Sequence, residues 1–188
     1  MNPYAGKIFL ITGTRDVGKT RFCSRLVKVA KNLKIETRGV LSVGGFKNGS
    51  KQRIDLVDIS NGNKFLLAVA RSALKGGLVT DRWSFDLDAM AQGSGILQKS
   101  IPCDLLVIDE LGPLEFSRGT GWQEGIRAVE SGQYHAAVVV IRPELISVVK
   151  ERWENVTLID IPANMDDCTE KLLQEKILGD LIRMSTKK

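Results

Sequence analysis

Apolar positions along the chain fall into two kinds of run. Short blocks that are apolar almost throughout, Lys7 to Thr12 (KIFLIT), Leu105 to Ile108 (LLVI), Ala136 to Ile141 and Val156 to Ile161, predict strands buried on both faces. Between them apolar residues recur at helical spacing. Phe22, Leu26, Val29, Ala30 and Leu33 make one face of an amphipathic helix. Cys168, Leu172, Leu173, Ile177 and Leu181 do the same for a closing helix, Asp166 to Met184. Asp86 to Ser100 reads as a helix that Gly93 and Gly95 weaken, and Trp122 to Glu130 as another. Pro143 suits the first turn of a helix reaching about Trp153. Strands alternating with helices specify an α/β fold with a mostly parallel central sheet and helices on both faces.

One stretch breaks that rhythm. Thr37 to Val43 reads as a strand, and Gly44-Gly45 with Lys47 to Lys51 as a polar loop. Arg53 to Ser60 and Phe65 to Val69 flank Asn61-Gly62-Asn63, the pattern of an antiparallel hairpin. Residues from about 44 to 70 are therefore expected as a hairpin insertion on the α/β core. Leu74 to Phe85 shows only a possible short strand near Trp83. At 188 residues, 1–188 is expected as a single domain.

Composition narrows the class. With 43% hydrophobic and 26% charged residues the chain is an ordinary globular one, long enough to bury a core without disulfides or structural metal. Cys23, Cys103 and Cys168 lie far apart with no CxxC spacing, which argues for a reducing compartment and against zinc. The short polar start and the lack of a long apolar run point to a cytoplasmic protein with no membrane partner. The net charge is +5, but the basic residues are scattered. Their densest cluster, Lys19 to Lys34, alternates with apolar residues as a solvated helix face does, which argues against a nucleic-acid partner. A positive field also suits a phosphate ligand.

The chemistry concentrates in two places. Gly13-Thr14-Arg15-Asp16-Val17-Gly18-Lys19-Thr20 fits G-x-x-x-x-G-K-[ST], the Walker A phosphate loop (P-loop), without a mismatch. Its glycines allow a tight turn, and successive backbone N–H groups form an anion nest at a helix N-terminus. Lys19 would reach the β- and γ-phosphates, and Thr20 would hold Mg²⁺ through its hydroxyl. Gly13 to Arg21 form the expected nucleotide-binding segment, and the expected ligand is a nucleoside triphosphate, ATP or GTP. A bare match also describes an ordinary glycine turn. Here an apolar strand precedes it and an amphipathic helix follows, which favours the phosphate loop. The second place is the strand Leu105 to Ile108, which runs into Asp109-Glu110 in the manner of a Walker B segment. Asp109 would hold Mg²⁺, and Glu110 would orient and deprotonate the attacking water. Lys19 and Glu110 are thus the expected catalytic residues, and water the expected acceptor.

Asp109-Glu110-Leu111-Gly112-Pro113-Leu114-Glu115 resembles the D-E-[IL]-G-x-[ML]-E stretch of the small nucleoside-triphosphatases, a family that includes the human cancer-related nucleoside-triphosphatase and thermophile counterparts. The resemblance covers nearly the whole chain, including Gly39 to Leu56, where Lys51-Gln52-Arg53-Ile54 resembles a basic stretch of the family. It implies a RecA-like P-loop fold and a Mg²⁺-dependent hydrolase cleaving ATP, GTP and other triphosphates to the diphosphate and phosphate. Two places depart from the pattern. Arg15-Asp16 stands where the family usually has Pro-Gly, and Asn164-Met165-Asp166 where it often has Asn-Arg-Asp. Asp16 is expected to weaken phosphate binding.

Any of Arg15, Arg53, Arg82, Arg118 or Arg142 could face the transferring phosphoryl group. His135 reads as a surface residue, Trp83 and Phe85 as packing residues, and Glu115 as a motif residue without a derivable role. Two alternatives stand beside the hydrolase: a nucleotide-gated module that switches its hairpin for an unknown protein partner, and a small-molecule kinase.

Overall fold

The computed structural model describes residues 6–71, 78–80 and 82–185. In chain order the elements are β1 (Lys7–Thr12), α1 (Lys19–Asn32), β2 (Thr37–Lys47), β3 (Ser50–Asp58), β4 (Lys64–Ala70), β5 (Leu78–Val79), β6 (Trp83–Phe85), α2 (Leu87–Gln98), β7 (Cys103–Ile108), α3 (Pro113–Phe116), α4 (Gln123–Glu130), β8 (Tyr134–Val140), α5 (Ile146–Arg152), β9 (Val156–Asp160) and α6 (Asp167–Ser185). The strands form one sheet in the order β5-β6-β4-β3-β2-β7-β8-β1-β9.

From β2 to β9 the pairings are parallel, with Leu10 opposite Val139 and Leu158, and Gly39 opposite Val107. Strand alternation splits the apolar residues between two cores. Ile8, Leu10, Leu106, Ile108, Ala137 and Val139 face Leu97 of α2, Ile126 of α4 and Val149 of α5. Phe9, Ile11, Leu105, Val107, Val138 and Val140 face Phe22, Leu26 and Ala30 of α1 and Ile177, Leu178 and Leu181 of α6. Each large apolar side chain so buried contributes about 1.5–3 kcal/mol. With both faces covered, the α/β expectation holds.

The antiparallel half departs from the sequence reading in one respect. Gly44 and Gly45 are not loop residues. They continue β2, which reverses at Asn48-Gly49 and pairs back along β3. The stems of Lys51 and Arg53 lie over the two glycines, where a Cβ would collide with them, so the missing side chains serve cross-strand packing. The next reversal does fall at residues 59–63, between β3 and β4. Both strands extend the common sheet, and Ile54, Leu56, Leu67 and Ala68 join the first core.

Two helix faces also need correction. Leu33 lies just past α1 and is 41% exposed. On α6, Cys168 and Leu172 point outward; the buried stripe runs through Glu170, Leu173, Ile177 and Leu181, at three- and four-residue steps. Of the stretch Leu74 to Phe85, residues 74–77 and 81 lie outside the described residues, and the short strand near Trp83 is β6. Among the described residues no helix is long and apolar enough to cross a membrane.

Candidate active site

Three neighbouring strands, β7, β8 and β1, end at one edge of the parallel half. Open α/β sheets place ligands at such an edge. From β1 the chain passes through residues 13–18 directly into α1. Gly13 has φ 139°, and a Cβ on it would come within 2.9 Å of the Ile161 carbonyl, so no other residue fits. Gly18 (φ 106°) caps α1, whose first turn holds no acid to compete for its free N–H groups. The Lys19 ammonium donates to the carbonyls of Gly13 and Thr14, each at 2.8 Å. Burial pulls its pKa below the ordinary 10.5, the nearby Glu110, Asp109 and Asp16 act to raise it, and Arg142 adds to the lowering. Thr14, Arg15 and Asp16 are exposed, Val17 packs against the second core, and the Arg21 guanidinium lies over Gly18.

Asp16 adopts φ 59°, the left-handed region. Aspartate enters that region more readily than most side chains. The backbone there suits glycine, which accounts for how an acid can replace one without reshaping the loop.

Asp109 is 1% exposed. Its Oδ1 accepts from the Thr20 hydroxyl at 3.3 Å and its Oδ2 from the Ser42 N–H at 3.0 Å. The fold thus unites Thr20 with Asp109, 89 positions later. Burial pushes the Asp109 carboxyl up from 3.8 to about 6, against the bonds from Ser42 and Thr20; Glu110 adds a smaller upward push and Lys51 a downward one.

Glu110, the next residue, is held differently. Its backbone is at φ 88°, rare outside glycine and a strain of about 1–3 kcal/mol. Its Oε1 accepts from Arg142 Nε at 3.2 Å and Nη2 at 2.9 Å. The two side chains are 43% and 42% exposed, and ion pairs so exposed are worth about 0.2–1 kcal/mol. Downstream, Glu115 is buried; its Oε2 accepts from the Gly112 N–H and its Oε1 from the Trp122 N–H, both at 2.8 Å. Burial raises its pKa while those amides lower it. At Gly121 a Cβ would overlap Glu115 Oε1. The role that the sequence left open for Glu115 is therefore to tie the segment after Glu110 to the start of α4.

The model of a family described as NTPase matches residues 8–173, from β1 into the first turns of α6. The chain belongs to the NTPase family. Similar proteins include the nucleoside-triphosphatase THEP1 of Methanopyrus kandleri, 24% identical over 170 residues, 88% of this chain and 92% of that protein. THEP1 of Pyrobaculum aerophilum is 30% identical over 106 residues, 56% of this chain and 58% of that one. The solution structure of a human cancer-related nucleoside triphosphatase superposes with TM-score 0.66 at 18% identity, over 93% of this chain and 97% of that one. The crystal structure of THEP1 from the hyperthermophile Aquifex aeolicus gives 0.65 at 18% identity, over 93% and 98%. Both likenesses support the α/β fold with a mostly parallel central sheet and helices on both faces. Membership makes the chain a nucleoside-triphosphate hydrolase.

Within this NTPase the remaining candidates separate. Arg53 pairs with Asp55 at 3.2 Å. Arg15, Arg82 and Arg118 are exposed. Of the five arginines considered, Arg142 is the one paired with Glu110. His135 lies by Asp104, 3.8 Å away, at the far edge of the sheet. Trp83 and Phe85 pack against the first core, with the Lys51 ammonium 5.7 Å from the Trp83 ring centre. Asp166 accepts from the Thr169 N–H at 2.7 Å, which lowers its pKa and caps α6, and Met165 packs on the second core. Two contributors escaped sequence reasoning. The Ser42 amide carries no sequence signal at all, because any residue there offers the same N–H. Lys51 lies in the basic stretch Lys51 to Ile54, whose sequence does not announce its field on Asp109. A cleft of about 860 Å³ opens at the opposite edge of the sheet, near the starts of β2 and β4. Its Lys31 is bonded to the Ile59 carbonyl, its Arg38 to Glu36, and its Asp58 to Ser60 and Asn61, so these four charges are engaged within the fold.

Proposed function

We propose that this NTPase hydrolyses ATP, GTP and related triphosphates to the diphosphate and phosphate with the help of Mg²⁺, acting as a single domain in a reducing cytoplasm. The observation that carries this reading is the meeting of Thr20 with Asp109 beside the glycine loop, with Glu110 next in sequence. Magnesium takes hard oxygen ligands and is commonly held by few protein groups. The Thr20 hydroxyl and the Asp109 carboxylate are such a pair, and a buried carboxylate pushed up to about 6 is one whose charge a cation would relieve. The residues therefore fit the ion, and Thr20 and Asp109 are the ones to hold it. When bound, it would neutralise charge on the phosphate oxygens.

The chain's own groups do the rest. N–H groups of residues 13–21 cradle the phosphates, and the Lys19 ammonium exchanges the Gly13 and Thr14 carbonyls for phosphate oxygens. Glu110 orients a water in line with the γ-phosphorus and accepts its proton. The water oxygen bonds to phosphorus, the bond to the bridging oxygen breaks, and the diphosphate leaves with the electron pair. The test is phosphate release from a panel of triphosphates, with and without Mg²⁺, in the wild type and Glu110→Gln. Turnover that needs Mg²⁺ and falls at least about a hundredfold in the variant is expected. Metal-independent release, or near-normal turnover by Glu110→Gln, would overturn the corresponding assignment.

A further inference from the structure

We propose that Arg142 reads the terminal phosphate: its guanidinium leaves Glu110 and takes the γ-phosphate when a triphosphate is bound, so that one movement both recognises the substrate and frees the acid. This rests on the hydrolysis reading above and adds a specificity-determining residue to it.

Topology provides the first support. β8 lies between β1 and β7, so the chain leaving β8 emerges between the glycine loop and Asp109-Glu110. Ile141 is pinned there by its N–H bond to the Ile11 carbonyl, 2.9 Å, and Arg142 follows with its carbonyl accepting from the Leu145 N–H at 3.0 Å. The backbone is thus fixed while the side chain is 42% exposed.

The second support is the kind of contact made. Two of the three guanidinium nitrogens, Nε and Nη2, converge on one oxygen of Glu110, at 3.2 and 2.9 Å, rather than forming a parallel two-oxygen fork. A terminal phosphate offers more charge than a carboxylate and several oxygens that suit the planar fork. An exposed pair of this kind is readily exchanged for such a ligand. Arg142 also lies within electrostatic reach of Lys19, the residue expected at the β- and γ-phosphates. A diphosphate lacks the group that competes with Glu110. The contact therefore favours triphosphate over diphosphate, and Glu110 opposes it until the triphosphate arrives.

The test uses the full chain, a non-hydrolysable triphosphate analogue, the matching diphosphate, and Arg142→Ala, Arg142→Lys and Glu110→Gln. In Arg142→Ala the analogue should bind about tenfold more weakly with diphosphate affinity unchanged, and kcat should fall at least about a hundredfold. Arg142→Lys should restore part of the preference as a point charge. Glu110→Gln removes the competitor, so it should bind the analogue more tightly, and only while Arg142 is present. Equal losses for both nucleotides, an unchanged kcat, or a variant faster than wild type would overturn the proposal; the last would make Arg142 only a brake on Glu110. If Arg142→Ala does not fold, Arg142→Gln is judged by the same ratio. Normal turnover by Glu110→Gln would sink the role given to Glu110 while leaving the affinity ratios to decide that of Arg142.

Discussion

The glycine loop and the acidic segment meet at one edge of the sheet, yet they are held in opposite ways. Residues 13–18 keep their shape by local means: positive φ at Gly13, Asp16 and Gly18, and the Lys19 ammonium folded onto carbonyls five and six residues back. Residues 109–122 are held from a distance. Asp109 leans on Ser42 and Thr20 and Glu110 on Arg142, and only Glu115 ties the segment to itself, through Gly112 and Trp122. Changes in the glycine loop should therefore act on chemistry and spare the fold, whereas changes in the acidic segment should register in stability as well.

The sharpest break of that comparison is Lys19→Ala. Loss of one preorganised cation from a phosphoryl-transfer site is expected to cost about 10²–10³ in turnover, with weaker nucleotide binding. The fold loses only two hydrogen bonds from a partly buried ammonium to loop carbonyls, so the melting temperature should stay close to wild type. A large drop in melting temperature with nucleotide affinity intact would reverse the contrast.

Next comes Asp109→Asn, which should stabilise the metal-free protein. Burial holds the native carboxyl at about 6, about two pH units above the 3.8 of the unfolded chain. At 1.36 kcal/mol per unit this is about 3 kcal/mol. Between these values the native state holds a proton that the unfolded chain has released, so wild-type stability falls as pH rises through about 6. Asparagine can accept from the Ser42 N–H and donate to Thr20 without a charge to bury. Melting in a chelator should show no difference between the proteins below pH 4 and a more stable variant above pH 6. A wild type that is the more stable at pH 7 would refute the burial argument.

How much of this was legible follows the same division. The glycine loop could be read because most of its requirements are local: positive φ at Gly13 and Gly18, and free N–H groups at the start of α1. The alternation of apolar blocks and helical spacings likewise exposed the parallel half, since burial on both faces leaves its mark on Leu105 to Ile108 of β7. Gly44-Gly45 misled because the side chains that need their space, Lys51 and Arg53, come from the partner strand. The outward turn of Cys168 and Leu172 on α6 depends on where the helix meets the sheet, which no periodicity states. Ser42 and the choice of Arg142 from five arginines are consequences of strand order, and strand order is not written in any one segment.

Glu115→Gln probes the one tie that the acidic segment makes within itself. The two carboxylate oxygens each accept one backbone N–H, and an amide can accept only one of them. One buried donor is left unmatched, at a cost of about 1–3 kcal/mol. Denaturant melts should show this loss, and nucleotide affinity at the glycine loop should be nearly unaffected. A variant as stable as wild type would mean that the segment from Glu110 to Trp122 is held by its long-range partners alone.

The smallest expected effect is at Asp16, where the glycine loop carries its one unfavourable charge. Its backbone already has the left-handed φ that glycine adopts freely, so Asp16→Gly should keep the loop shape. It removes a negative charge that acts on Lys19, and with it a repulsion that the incoming phosphates must meet. Asp16 is exposed, so the interaction is screened, and a gain in triphosphate affinity of about two- to fivefold at low ionic strength is expected. Raising the salt to about 1 M shortens the screening length to roughly 3 Å and should abolish the difference. A gain that persists in high salt would have to come from backbone freedom, and the charge would then not be what sets this loop apart from the Pro-Gly pattern.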